Sequence, residues 1–156
     1  MPLSRIVMIM AVAAMVIGIV FIYQGVSKAE YIKDQMVAEH VKASIGGGNM
    51  TGYVDSAAKA QAAADTIKKH RQSIAPTYTD LLALSGGKYD PTNPKDLSYT
   101  QALNMENYLY MGVFALGFTQ AVTVIGVFMI IVGIALIAVW AAIRKKKTVE
   151  VKVKSP

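Results

Sequence analysis

Residues 107–143 have the sequence NYLYMGVFALGFTQAVTVIGVFMIIVGIALIAVWAAI, and this stretch decides the fold. Its 37 residues include no Asp, Glu, Lys or Arg. A membrane span needs roughly 20 apolar residues, so the stretch can cross a bilayer and continue beyond it. Counting back from the cations that begin at Arg144 places the span over residues 123–143. Residues 108–122 then lie outside the bilayer, where the rest of the chain or a partner must cover them.

A second uncharged run, IVMIMAVAAMVIGIVFIY, occupies residues 6–23 and follows Arg5. A cleaved signal peptide is the alternative, since small residues occupy the −3 and −1 positions before a possible cut at Glu30. The run is longer than the 7–15 residues usual for the apolar part of a signal. We therefore interpret residues 1–23 as an uncleaved membrane span.

The charges lie where two spans with both ends inside would place them. The chain carries a net charge of +6, yet residues 24–107 hold equal numbers of cations and anions. The excess lies at Arg5 and in the tail, residues 144–156, which begins with four adjacent cations: Arg144, Lys145, Lys146 and Lys147. The positive-inside bias predicts a plasma-membrane protein with both termini cytoplasmic and residues 24–107 outside. Cations directly after a span favour anchoring to lipid headgroups over binding of nucleic acid.

Both spans are predicted to continue as helices outside the membrane. Apolar residues keep a spacing of three to four beyond Tyr23, which predicts one helix over residues 3–44, stopped by the glycines of residues 45–49. Ser98 resembles the N-cap of the last helix, which we expect to end near Lys146.

The outer domain, residues 24–122, is predicted to be helical. Asp55 is placed to cap an alanine-rich helix that Pro76 breaks, and a short helix over residues 77–84 ends at glycines. No run alternates with period two, so no sheet is expected. The predicted fold is all-α: two long transmembrane helices extended into a small extracytoplasmic helical bundle.

Four glycines are candidates for helix packing in the membrane. Gly18 and Gly25 are seven residues apart, as are Gly126 and Gly133, so each pair shares one helix face. Glycine lets two backbones approach closely in lipid. The pairs could join the two spans of one chain, or form a seam with a second copy or another subunit.

A metal site is the sharpest alternative interpretation of the outer polar residues. Glu39, His40 and His70 could supply carboxylate and imidazole ligands from facing helices. They lack a recognised ligand spacing, and the chain has no cysteine. Helical rise predicts that His40 and His70 lie at opposite ends of the bundle, so we expect neither a metal nor another cofactor.

Catalytic motifs are missing from the sequence. There is no nucleophile elbow and no phosphate-binding glycine loop, and neither span interior contains an ionisable residue for a proton relay. We therefore expect a non-enzymatic accessory or scaffold subunit whose partners are the lipid bilayer and either other membrane-protein subunits or copies of itself. An extracytoplasmic module that binds a metal, haem or small molecule is the alternative.

Scattered residues between positions 20 and 135 carry a family resemblance. They are Gln24-Gly25-Val26, Ala38-Glu39, Val54-Asp55, Ala60, Ala64-Asp65-Thr66-Ile67, His70, Tyr78, Asp90-Pro91 and Ala102-Leu103-Asn104. This pattern resembles a family of small, uncharacterised bacterial two-span membrane proteins with a helical extracytoplasmic domain. Some members carry a ring-opening dioxygenase label, but this sequence offers no recognisable iron site for that chemistry. The resemblance implies an architecture and no activity.

Overall fold

A computed structural model describes residues 3–44 and 50–153, with side chains as far as Lys145. It contains four helices: α1 (Leu3–Ala38), α2 (Ala57–Ile74), α3 (Tyr78–Leu84) and α4 (Pro94–Val153). No strand occurs in the described ranges, so the all-helical prediction is confirmed for them. The chain divides into two compact units. Unit 1 comprises Met1–Lys28 with Thr119–Pro156, and unit 2 comprises Ala29–Phe118.

The first helix ends earlier than the spacing of its apolar residues predicts. It stops at Ala38 instead of residue 44, because His40 adopts the left-handed φ of 52° and reverses the chain. The following residues form an isolated antiparallel bridge between Lys42 and Tyr53. Two backbone hydrogen bonds of 2.8 and 2.9 Å hold the bridge and replace the helical bonds. The predicted glycine stop at residues 45–49 lies outside the described residues.

The alanine-rich helix α2 begins one residue later than predicted. Ser56, not Asp55, is the N-cap: its backbone is extended and its hydroxyl accepts a hydrogen bond from the Lys59 amide. Asp55 instead forms an exposed ion pair with the Lys59 side chain at 2.9 Å. The helix ends at Ile74, two residues before the proline expected to break it.

Helix α3 is short and capped at both ends. Thr77 and Asp80 form a reciprocal capping box, in which each side chain accepts a hydrogen bond from the other residue's backbone amide. After Leu84 the chain turns through Gly86 and Gly87, whose φ angles of 73° and 89° favour glycine. The sequence anticipated both the helix and its glycine stop.

The last helix starts earlier than predicted. It begins at Pro94, so Ser98 lies inside the helix and does not cap it. Asn93 supplies the cap, because its side-chain oxygen accepts a hydrogen bond from the Lys95 amide at 3.0 Å. Proline suits the first helical position, where its missing N–H has no partner to lose. The backbone stays helical to Val153, seven residues past the predicted end.

Unit 2 packs around the thin face of α2. Ala60, Ala63 and Ala64 are fully buried there, and their small side chains let the neighbouring elements approach closely. Larger apolar residues complete this core: Met36, Val54, Ile67, Leu109 and Leu116. The bridge segment contributes Ala43 and Val54, which explains why the chain turns back after α1.

Candidate functional site

In unit 1, the four glycines singled out in the sequence lie where α1 and α4 contact each other. A Cβ built on Gly18 would lie 2.7 Å from the carbonyl oxygen of Gly126, and the reverse contact has the same length. A Cβ on Gly25 would overlap the hydroxyl of Thr123, and one on Gly133 would lie 2.5 Å from the Met15 side chain. The two helices therefore meet within one chain at a glycine seam.

The glycine seam sets the register between the two apolar helices. The uncharged part of α1 begins after Arg5 and ends before Lys28. Gly25, one turn before Lys28, lies against the backbone of Thr119. At the other end of the seam, Gly133 lies against Ala11 and Met15. The portion of α4 that pairs with uncharged α1 therefore starts near Thr119, four residues before the span edge predicted from sequence.

A buried polar network joins α2 to α4 in unit 2. The Arg71 guanidinium donates a hydrogen bond of 2.7 Å to the Glu106 carboxylate and another of 2.5 Å to the Tyr99 hydroxyl. All three residues are buried. The hydrogen bond to Glu106 raises the pKa of Arg71 further above its ordinary high value. Among the described residues no buried side-chain nitrogen or oxygen lacks a hydrogen-bond partner, so the polar groups of this network satisfy one another. Because Arg71 lies on α2 and its two partners lie on α4, the network holds these helices together.

A second polar contact lies further along the same helix pair. The Tyr110 hydroxyl donates to the Asp65 carboxylate at 2.7 Å, and the Gln61 amide donates to the same oxygen at 3.0 Å. The hydrogen bond from Tyr110, followed by that from Gln61, lowers the pKa of Asp65 below its ordinary value of 3.8. The same bond raises the pKa of Tyr110 to about 12. Both groups therefore keep the charge states that the hydrogen bond needs at neutral pH.

We expect the Asp65 contact to make unit 2 sensitive to acid. Because the folded-state pKa of Asp65 is depressed, its stabilising contribution is present above the ordinary value of 3.8 and is lost as pH falls through the lower folded value. The thermal midpoint of the wild type should therefore fall on acidification, and Asp65→Asn should reduce that fall. Asp34→Asn removes an exposed carboxylate and is the control. Equal acid sensitivity of wild type and Asp65→Asn would contradict the prediction.

The loop before α4 is tied to a buried carboxylate. Asp96 is fully buried and accepts hydrogen bonds from the Ser85 hydroxyl at 2.5 Å and from the Asp90 amide at 2.9 Å. A cavity of about 480 Å³ lies beside it, lined partly by Leu81 and Pro94. Both carboxylate oxygens of Asp96 are occupied by the chain itself. This carboxylate therefore organises the loop.

The three candidate metal ligands are exposed and do not come together. Glu39, His40 and His70 all lie on the surface. The imidazole of His40 hydrogen-bonds the Ala38 carbonyl at 2.7 Å and contacts the Tyr53 ring edge-on. His70 does not face a neighbouring helix as a ligand would, because it is exposed and the next residue, Arg71, takes the buried position on α2. In the described part of the chain, no three His, Asp or Glu side chains form a group able to hold a metal.

An apolar surface of α4 remains uncovered in unit 2. Leu109 and Leu116 are buried against the rest of the unit, but the opposite side of the helix is exposed. There Met111 is 71% exposed, Phe114 76% and Phe118 62%. These three residues form the 111–118 stripe. Of the apolar segment that the sequence predicts to need a cover, the residues that the structure describes cover one side only.

The positions of Arg71 and Glu106 in the sequence indicate the buried network. Arg71 follows Ile67 by four residues and precedes Ile74 by three, so it belongs to the inner face of α2. Glu106 is the last charged residue before the long uncharged stretch. An arginine and a glutamate on the inner faces of two facing helices are expected to pair, since an unpaired charge is costly to bury.

At the start of the basic tail, the Arg144 guanidinium lies 5.0 Å from the centre of the Trp140 ring. The side chains of Lys146 and Lys147 lie outside the described ones.

Comparison with known proteins adds no further constraint, since no family profile, curated protein or solved structure matches the chain. Its function must therefore be argued from its own residues.

Proposed function

We propose that this protein is an integral membrane protein with two spans that serves as an accessory or scaffold subunit and not as an enzyme. The observation that carries the proposal is the 111–118 stripe, an uncharged surface that the described residues leave exposed. Large exposed apolar surfaces on proteins mark contacts with other proteins or with membranes. The buried polar networks support the same role, because the hydrogen-bonding groups of their described residues are paired with one another.

Membrane insertion is supported by the exposure of the apolar helices. Two helices, Leu3–Ala38 and Pro94–Lys145, are long and apolar enough to cross a membrane. In their most apolar windows only 17% and 11% of residues are buried, whereas the core helix of a water-soluble protein would be mostly buried. Apolar side chains that point outward along both helices suit a lipid environment. The glycine seam then joins the two spans.

Both termini are proposed to be cytoplasmic, with residues 24–107 outside. The chain has no native cysteine, so single cysteines can report the topology directly. We expect Ser44→Cys in intact cells to react with a membrane-impermeant thiol reagent. Ser155→Cys, which lies outside the described residues, should react only after permeabilisation. Labelling of Ser155→Cys in intact cells would contradict this topology.

The 111–118 stripe is proposed to lie beyond the bilayer. Phe114 and Met111 precede Thr119 by five and eight residues, or about 7 and 12 Å of helical rise. The charge at Lys28 and the register of the glycine seam support an outer edge of the uncharged helix pair near Thr119. Apolar side chains that far from the edge are expected to meet a protein and not lipid tails.

A photo-crosslinking amino acid at position 114 tests the subunit role in intact membranes. We expect an adduct with a protein, while the same probe at the exposed loop residue Lys88 should give little. Adducts with lipid alone at position 114 would show that the stripe lies in the bilayer, and would contradict the proposed role. The mass of a protein adduct also identifies the partner.

A further inference from the structure

We propose that the 111–118 stripe binds a second copy of this chain, so that two α4 helices pair in parallel along a two-fold axis. The proposal rests on the proposed function, because it names the partner at the same surface. A second copy is the favoured partner because of the spacing of the apolar residues, the absence of charge and the polar end of the stripe.

The first reason is a heptad repeat. Met111, Phe114 and Phe118 are separated by three and four residues, and the alternation continues through Ala121, Ile125 and Phe128. Such spacing of apolar residues is the signature of helices that pair as a coiled coil. Each of the six residues is exposed in the unit to which it belongs. The positions that would form the seam of a coiled coil are therefore left exposed by residues 3–44 and 50–153.

The second reason is that the contacts within the chain use other heptad positions. Leu109 and Leu116 face the core of unit 2, and they occupy one heptad position. Gly126 and Gly133 form the seam with α1 in unit 1, and they occupy another. Neither position belongs to the repeat of Met111 and Phe114. Pairing through the stripe therefore leaves the contacts of both units in place.

The third reason is the polar end of the repeat. Asn107 and Asn104 precede Met111 at the same alternating spacing, and both are exposed. A side-chain amide carries both a donor and an acceptor, so two identical amides can bond to each other across a two-fold axis. Asparagine at a single core position of a coiled coil favours a defined register and a pair of strands. An apolar partner surface would leave these amides unpaired.

Charge and length also favour a second copy. A parallel two-fold pair brings each residue against its own equivalent, so any charge on the stripe would repel itself. Residues 107–143 contain no Asp, Glu, Lys or Arg. The partner must also offer an apolar helix that continues past the bilayer by the same distance. A second copy of α4 meets both requirements without a further assumption.

Same-residue disulfide formation in membranes tests the dimer, since the chain has no cysteine of its own. Cysteine at position 107, 114 or 118 should cross-link two copies, because equivalent positions on a parallel two-fold seam come within disulfide reach. Met105→Cys and Gln120→Cys are matched controls, exposed on the same helix but outside the repeat. We expect at least about fivefold more covalent dimer from the seam positions under mild oxidation.

Two cross-linking outcomes would overturn the dimer alone. One is equal cross-linking at seam and control positions, which indicates random collision. The other is a position-114 photo-adduct with a different protein and none with the chain itself, which removes the second copy and leaves the subunit role standing. Photo-adducts with lipid alone would instead overturn the proposed function and the dimer together. As an independent readout, Phe114→Ser with Phe118→Ser should at least halve the dimer fraction in mild detergent, and an unchanged fraction would contradict the proposal.

Discussion

Replacing Glu106 with alanine is expected to lower the free energy of unfolding by about 3 kcal/mol. The variant leaves the Arg71 guanidinium buried between α2 and α4 with its carboxylate partner removed. A buried charge without its partner typically costs 3–5 kcal/mol, and the lower end applies here because both side chains keep a little exposure to solvent. For a chain of this length the thermal midpoint should fall by roughly 6–12 °C, measured by circular dichroism in mild detergent.

A matched exposed pair and a double variant define what the Glu106 result means. Lys59→Ala breaks the exposed ion pair with Asp55 and should leave the midpoint unchanged within error, since water replaces the lost contact. Arg71→Met combined with Glu106→Leu removes both charges and keeps volume, so it should recover much of the loss. A Glu106→Ala midpoint equal to that of Lys59→Ala would show that the Arg71–Glu106 pair contributes no more than a surface pair.

Replacing Gly126 with leucine is the second change expected to have a large effect. A Cβ at this position would lie 2.7 Å from the Gly18 carbonyl oxygen and 2.8 Å from the Ile22 amide nitrogen. Both are backbone atoms, so the helices of unit 1 must separate to admit the side chain. Overpacking of this kind costs typically 1–3 kcal/mol, and it removes close helix contacts that stabilise spans in lipid.

Gly117→Leu supplies the control for Gly126→Leu. It adds the same side chain to the same helix, but no heavy atom lies within 4 Å of its Cβ position. We expect Gly126→Leu to lower the thermal midpoint well below that of Gly117→Leu, and Gly133→Leu to act in the same direction. If Gly126→Leu and Gly133→Leu leave melting and oligomeric state unchanged, the glycine seam is contradicted.

Sequence reasoning captured the features that depend on composition along one helix. The two uncharged runs, the alanine-rich helix and the helix-breaking Pro76 follow from local preferences, and the structure has helices where these predict them. The spacing of the four glycines also pointed to a contact face, because a seven-residue interval returns to the same side of a helix.

Helix ends were less predictable than helix positions. A helical spacing of apolar residues continues past Ala38, but the chain leaves the helix there to form the bridge between Lys42 and Tyr53. The energy for that turn comes from burying Ala43 and Val54 against α2, a contact between segments distant in sequence. Local propensity cannot register such a contact. The start of α4 is a different case, because Asn93 and Pro94 are local signals of a helix start that compete with Ser98.

Composition and local spacing are enough to show that this chain is helical, that two helices can cross a membrane, and where its charges lie. Which side of each helix is covered follows only from the packing of the folded chain. It paired Arg71 with Glu106, turned His70 outward and left Met111, Phe114 and Phe118 exposed. The physical reason is that helical periodicity marks an apolar face but does not name its partner. That choice depends on the packing of residues far apart in the chain.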